Sequence, residues 1–327
     1  MAEENVFHSI LEALENNLRE IESGDSKQNE TEIFSLDGFW LAFCLTTKSL
    51  SNEITKLCML YSKPPLPSMR ETLEILKTIE GICQNLIEIF YTLPKAKGIV
   101  LRKEVQKSVI KLLQSVTAVL NSLKDATVKS QKDRLKLVGW IWEACGEVED
   151  LPRDNKGAVC QLLTREELLL LDALQEIEGE VKADWAGETN VGEEVDNTVN
   201  WNNQDRELLP PCVGLVKTAQ KCVKRIGSAA RSNSNCETDQ NIAQLDDLAT
   251  LVQGLSPIVD DFVSSVYPPM NRNAVKTEAL KVAKHLQLLL QLAKNSHYVS
   301  VEDHTWLNFL LKAVDYNNNK LQPILAP

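Results

Sequence analysis

The sequence predicts an all-α protein built as two helical bundles joined by an acidic linker. Apolar residues recur at helical spacing along most of the chain, the signature of helices with one buried face. Aromatics make up 6% of residues within a hydrophobic content of 43%, a mix suited to helix packing. One stretch, residues 183–205, breaks the periodicity and holds six carboxylates, two glycines and no lysine or arginine. Like charges repel along it, and Gly and Asn favour turns, so it reads as a linker. It would separate an N-terminal helical bundle, residues 1–182, from a C-terminal four-helix bundle, residues 206–327. A length of 327 residues agrees with two cores.

Each helix is argued from its apolar residues and its ends. Val6, Ile10, Leu11, Leu14, Leu18 and Ile21 mark the first, ending near Gly24. Phe39, Phe43, Leu50, Ile54 and Leu57 mark the second, stopped by Pro64, Pro65 and Pro67. Ser68 and Glu71 form a capping box, so the third helix starts at Met69 and runs to Leu93-Pro94. A fourth spans about Ile99 to Leu123, and a fifth about Lys132 to Val148, with Val138, Trp142 and Cys145 on its apolar face. Asp154 or Asn155 can cap a sixth that continues to about Lys182, with a kink or restart at Thr164 and Glu167. Beyond the linker, Pro210 and Pro211 fit the first turn of a helix through Ile226. The next spans about Thr238 to Val266, bent at Pro257. A helix from Val275 to about Ser296 follows, and a last one from Asp303 carries Trp306, Phe309, Leu310 and Val314.

The net charge is −11, which disfavours attraction of the whole chain to nucleic acid or an anionic membrane. No uncharged apolar run is long enough to span a bilayer, and the N-terminus lacks the pattern of a signal peptide. A cytoplasmic and nuclear address is therefore expected. Eight cysteines stand singly, without a CxxC pair, and read as reduced thiols on apolar faces, so no metal or cofactor is expected. No phosphate loop, zinc-protease helix or nucleophile elbow is present, and no catalytic residue is assigned. Asp246-Asp247 and Asp260-Asp261 could do acid–base work beside His285 only if their helices align, and solvated helix faces account for them better. Lys217, Lys221, Lys224 and Arg225 form a basic run without interleaved aromatics, which reads as a solvated face rather than a nucleic-acid contact. Leu163, Leu170, Leu174, Ile177 and Val181 make a heptad seam too short for a dimerising zipper, which reads first as internal core. Homo- or hetero-oligomer formation through it stays open.

Several strings resemble one family. They are Leu151, Pro152, Arg153, Asp154, Asn155 and Lys156; Leu93-Pro94 followed by Gly98-Ile99 and Leu101-Arg102-Lys103; Ala243 to Asp247; and Tyr267, Pro268, Pro269 and Met270. In this order they resemble the Grap- and cyclin-D-interacting, or Maid-like and Id-like, proteins. The resemblance implies two helical bundles similar to talin-rod and I/LWEQ-type modules, and a non-enzymatic regulator. Its implied partner is a D-type cyclin, with restraint of cyclin-dependent kinase signalling, cell-cycle progression and transcription. Helix-loop-helix transcription factors and adaptor proteins are further partner classes it implies, without direct nucleic-acid binding. The bundle likeness alone would also suit a cytoskeletal or adhesion-type adaptor. The 151–156 and 267–270 strings are the candidate partner-contact residues, although as helix stops and corners they also read as scaffold.

The single placement of the cysteines leads to a first prediction. Chelator and mild reductant should leave the helical circular dichroism and the melting midpoint unchanged, and a midpoint lowered by chelator would reveal a metal site.

Overall fold

A computed structural model of the chain describes residues 2–23, 34–62, 65–124, 131–186 and 201–324, and every regular element among them is helical. The fold is all-α. The chain divides into two compact units, Met1–Asp154 and Asn155–Pro327.

The first unit holds α1 (Ala2–Ser23), α2 (Leu36–Leu60), α3 (Met69–Thr92), α4 (Ile99–Lys124) and α5 (Gln131–Glu147). α1 packs on α3 and α4, α2 on α3 and α5, and α4 touches both α3 and α5, so the five rods close a ring. Phe43, Leu50, Ile54, Ile79, Leu86 and Leu112 fill its middle with no exposed surface. Helix starts follow local chemistry. The Ser35 hydroxyl accepts from Gly38 N–H at 3.2 Å, and the expected capping box forms, with Ser68 N–H donating to Glu71 Oε2 at 2.8 Å.

The turn from α3 to α4 is tightly constrained. Leu93 is fully buried, a 3-10 turn covers Lys95–Lys97, and Gly98 sits at φ 120°, where a side chain would be strained. From α4, Arg102 turns back beneath this joint and is only 3% exposed. Its Nη1 donates to the Phe90 carbonyl at 3.3 Å and also to the Leu93 carbonyl, and its guanidinium lies 4.6 Å from the Phe90 ring centroid. A cation thus meets the negative end of α3, supplying a donor for the Leu93 carbonyl and a second one for the Phe90 carbonyl, which also accepts from Leu93 N–H.

The second unit holds α6 (Asn155–Ala186), a short α7 (Asn203–Arg206), α8 (Leu209–Asn233), α9 (Asp239–Gln253), α10 (Leu255–Val266), α11 (Arg272–Lys294) and α12 (His304–Ile324). α8 is central and touches α6, α10, α11 and α12, while α6 also lies on α9 and α10. Pro210 and Pro211 occupy its first turn as expected.

Four expectations change here. α6 belongs with the second unit, not with residues 1–182, because its leucine seam has its apolar partners there. Leu163, Leu170, Leu174, Ile177 and Val181 are all buried on a helix whose neighbours are α8, α9 and α10. The second unit therefore has α6 in addition to the helices of 206–327. The stretch read as a linker is helical through Ala186 and packed again from Trp201, which is 5% exposed and donates Nε1–H to the Val266 carbonyl at 2.8 Å. Asn202 caps α7, and Asp184 takes Arg206 through two bonds of 2.8 and 3.0 Å. Residues 187–200 lie outside the described residues.

α6 is also continuous across Thr164, whose hydroxyl donates back to the Cys160 carbonyl at 2.9 Å instead of capping a new helix. Finally, the helix expected over 238–266 is broken at Gly254 rather than bent at Pro257. The His285 imidazole lies 2.6 Å from the Leu251 carbonyl, and a Cβ at Gly254 would meet its ring at 3.2 Å. Pro257 falls in the first turn of α10, where its missing amide costs nothing.

Replacing Arg102 with Met keeps the stem and removes the donors. Arg102→Met should cost roughly 2–4 kcal/mol, read as a lower urea midpoint of the full chain, because the buried Leu93 carbonyl loses the Arg102 donor and the Phe90 carbonyl keeps only the Leu93 N–H. An unchanged midpoint would show that the joint does not depend on this guanidinium.

Candidate functional site

The first candidate string is divided between the two units. In the first, Pro152 is buried and Leu151 half-buried, while Arg153 reaches over α2 with its guanidinium 4.6 Å from the Trp40 ring centroid. Its Nη2 donates to the Glu149 carbonyl at 3.1 Å, and its own carbonyl accepts from Trp40 Nε1–H at 2.8 Å. Asp154 is half-buried. In the second unit Asn155 opens α6, is fully buried, and donates to Asp246 Oδ1 at 3.0 Å. Lys156 is half-buried. Most of this string is tied into its own unit.

The second string forms the corner between α10 and α11. The Tyr267 ring stacks on Trp201 with centroids 6.5 Å apart, and its hydroxyl donates to Glu176 at 3.1 Å. Burial, and then Glu176, push the Tyr267 hydroxyl above its ordinary value. Pro268 is half-buried, Pro269 exposed and Met270 half-buried, and the Pro268–Pro269 bond is cis. Next to this corner Arg272 holds the buried Asp205 at 3.0 Å. The two strings are thus not one constellation but two separate joints.

No acid–base pair assembles from the aspartates. His285 is taken up by Leu251, and Asp246 by Asn155. Burial, with Asp261 and Glu176 nearby, raises the Asp260 carboxyl, but Asp260 has no hydrogen-bond partner of catalytic type among the described residues. Burial pushes the Cys83 and Cys212 thiols up to about 12, so they are poor nucleophiles. Among the described residues no group of three or more His, Cys, Asp or Glu could hold a metal, and no helix is long and apolar enough to cross a membrane.

What the structure adds are surfaces. A cleft of about 240 Å³ opens between α2 and α5, lined by Cys44, Thr47, Ser51, Trp142, Cys145 and Glu149. Trp142, read from sequence as apolar core, is 55% exposed and donates to Thr55 at 2.9 Å. Leu41, Leu45 and Met59 make an exposed ridge along α2, at 64%, 56% and 69%. Phe309, also read as core, is 69% exposed on α12, with Tyr316 at 62%. Periodicity missed these because an apolar residue one position off the stripe looks the same as one on it.

Such surfaces suit protein binding, and the sequence comparisons give the family. The model described as Grap2 and cyclin-D-interacting, N-terminal, matches residues 45–183, and its C-terminal counterpart matches residues 180–291. The chain belongs to the Grap2 and cyclin-D-interacting family. A Danio rerio protein named cyclin-D1-binding protein 1 homolog is 32% identical over 98% of this chain and 94% of its own. The Homo sapiens cyclin-D1-binding protein 1 is 30% identical over 91% and 87%, and the Xenopus laevis homolog 31% over 90% and 92%. Both candidate strings lie inside the matched residues, whereas α12 lies beyond them. The two family models meet at residues 180–183, near the end of α6, while the compact units divide at Asp154 and Asn155.

Scaffold and contact roles separate by mutation. Asn155→Ala should lower stability by about 1–3 kcal/mol in denaturant melts, whereas Lys156→Ala should change it by less than about 0.5 kcal/mol. Equal, small effects would remove Asn155 from the scaffold and return it to the surface.

Proposed function

We propose that this chain binds a D-type cyclin as a non-enzymatic regulator. By occupying the cyclin it restrains cyclin-dependent kinase signalling, and with it cell-cycle progression and dependent transcription, in cytoplasm and nucleus. The observation that carries the reading is similarity, over nearly the full length of the chain, to relatives named for cyclin-D1 binding. The architecture supports it. Helical bundles offer grooves between rods and exposed apolar ridges, and recognition by them needs no catalytic pocket. The ridge of α2 and the exposed rings of α5 and α12 are anchors of the size that dominates protein interfaces.

The test is direct binding of the purified full chain to purified D-type cyclins by calorimetry. A dissociation constant of about 1 μM or tighter is expected for at least one of them. Neutralising Glu193, Glu194 and Asp196 should weaken binding only a few-fold and mainly through the on-rate, about the effect of rim charges. Absence of binding to every D-type cyclin at micromolar concentration overturns the reading. Loss of binding on neutralising those three carboxylates alone would move the contact from helix surfaces to the acidic stretch.

A further inference from the structure

We propose that the α8–α12 face of the second unit is a docking surface for an acidic amphipathic helix of a partner protein. The two helices run antiparallel in contact. Asn233, at the end of α8, donates to the carbonyl of Tyr298 just before α12 at 3.1 Å, and Asn317, late in α12, donates to Thr218 early in α8 at 3.3 Å. Their approach is close because Gly214 has no side chain, and a Cβ there would run into the Asn317 carboxamide. From that contact, helical spacing fixes what lines the rest of the seam. On α8 the row Gly214 and Thr218 continues to Lys221 and Arg225. On α12 the row from Asn317 runs back through Ala313 to Phe309, with Tyr316 beside it.

This seam is cationic in a chain whose net charge is −11. Lys221 and Arg225 are exposed and make no ion pair or hydrogen bond among the described residues. Their neighbours Lys217 and Lys224 are instead directed to Glu178 and Glu167 of α6, at 3.7 and 3.6 Å. α8 has no carboxylate along Leu209–Asn233. The single carboxylate of α12, Asp315, accepts from Gln287 on α11 at 2.9 Å and so belongs to the opposite flank. Lys320 lies 5.6 Å from the Tyr316 ring centroid and extends the cationic border. In a chain of net charge −11, two cations unpaired among the described residues, beside the exposed rings of Phe309 and Tyr316, are conspicuous.

Its geometry selects the occupant. Phe309 and Tyr316 are seven residues apart on one helix face, about 10 Å along the axis. That matches the spacing of anchors on an amphipathic helix laid along a groove, whose carboxylates would meet Lys221 and Arg225. Nucleic acid fits less well. Few phosphates could be neutralised here, the whole chain repels a polyanion, and stacking platforms need rings set at successive bases. The chemistry of this surface is the same whether or not the partner is a D-type cyclin.

The experiment uses the full chain and a fluorescein-labelled synthetic helix of about 18 residues, with Leu at helical spacing and Glu on the other face. Two further probes are the same peptide with Gln for Glu and a single-stranded oligonucleotide. Anisotropy should give a dissociation constant of about 10 μM for the acidic peptide, at least about tenfold weaker for the Gln peptide and the oligonucleotide. K221E/R225E and F309A/Y316A should each weaken the acidic peptide about tenfold or more, with melting curves unchanged because all four side chains are exposed. K221Q/R225Q gives the same readout without charge reversal and should weaken binding in the same direction. The charge-matched pair K77E/K103E in the first unit should leave binding within about twofold. No binding of the acidic peptide overturns the proposal, and so does equal weakening by K77E/K103E. Binding that ignores Phe309 and Tyr316 also overturns it. Tighter binding of the oligonucleotide with the same residue dependence replaces it with a nucleic-acid surface.

Discussion

Arg102 shows the constraint under which a bundle of this kind is built. Every helix end leaves backbone groups without partners, and where the end is buried those groups must be met from within. α3 ends on a fully buried Leu93, and the next helix starts only a few residues later. Water is excluded, so the donors come from a side chain of α4 that is itself buried and charged. The arrangement works in both directions. The carbonyls and the Phe90 ring solvate the guanidinium, and the guanidinium closes the helix. Gly98 is the backbone condition for it, since only its positive φ lets α4 turn back in time.

The second unit answers the same constraint with other residues. Asp205 closes α7 onto Asn202 and holds Arg272 at the start of α11, while Trp201 covers the Val266 carbonyl at the end of α10. His285 meets the Leu251 carbonyl where α9 stops. Several charged and titratable groups that a search for catalysis would single out are thus engaged at helix ends. What remains free is on outer faces, where function in this family of interaction proteins has to be sought. The contrast between Lys224, drawn to Glu167, and Arg225, left outward, illustrates this on two adjacent residues.

Much of the fold was legible because helices announce themselves locally. Ser68 and Glu71 named the start of α3, and Pro210 and Pro211 the first turn of α8. What failed was everything decided by a distant residue. The break at Gly254 depends on His285, which no local pattern around Pro257 reveals. The membership of α6 depends on which helices cover its leucine stripe, and periodicity says only that something must. The candidate strings were readable as joints, and Asn155 and Tyr267 make hydrogen bonds inside the second unit. The exposed rings were misread for a simpler reason. Phe309 lies beside the α12 stripe of Leu310 and Val314, and a ring there can face the core or the solvent with little change in angle.

The pairing of Asp184 with Arg206 has a topological consequence. The chain on either side of residues 187–200 is fixed to the same unit, at points bridged by one bidentate contact. Asp184, at the end of α6, and Arg206, just before α8, therefore belong to one body. A gene divided there would produce fragments with complementary sticky faces, one carrying the leucine stripe of α6 without α8 and the other the uncovered flank of α8. Such fragments suit split-protein complementation and are poor separate modules, whereas a division after Asp154 leaves both apolar interiors whole.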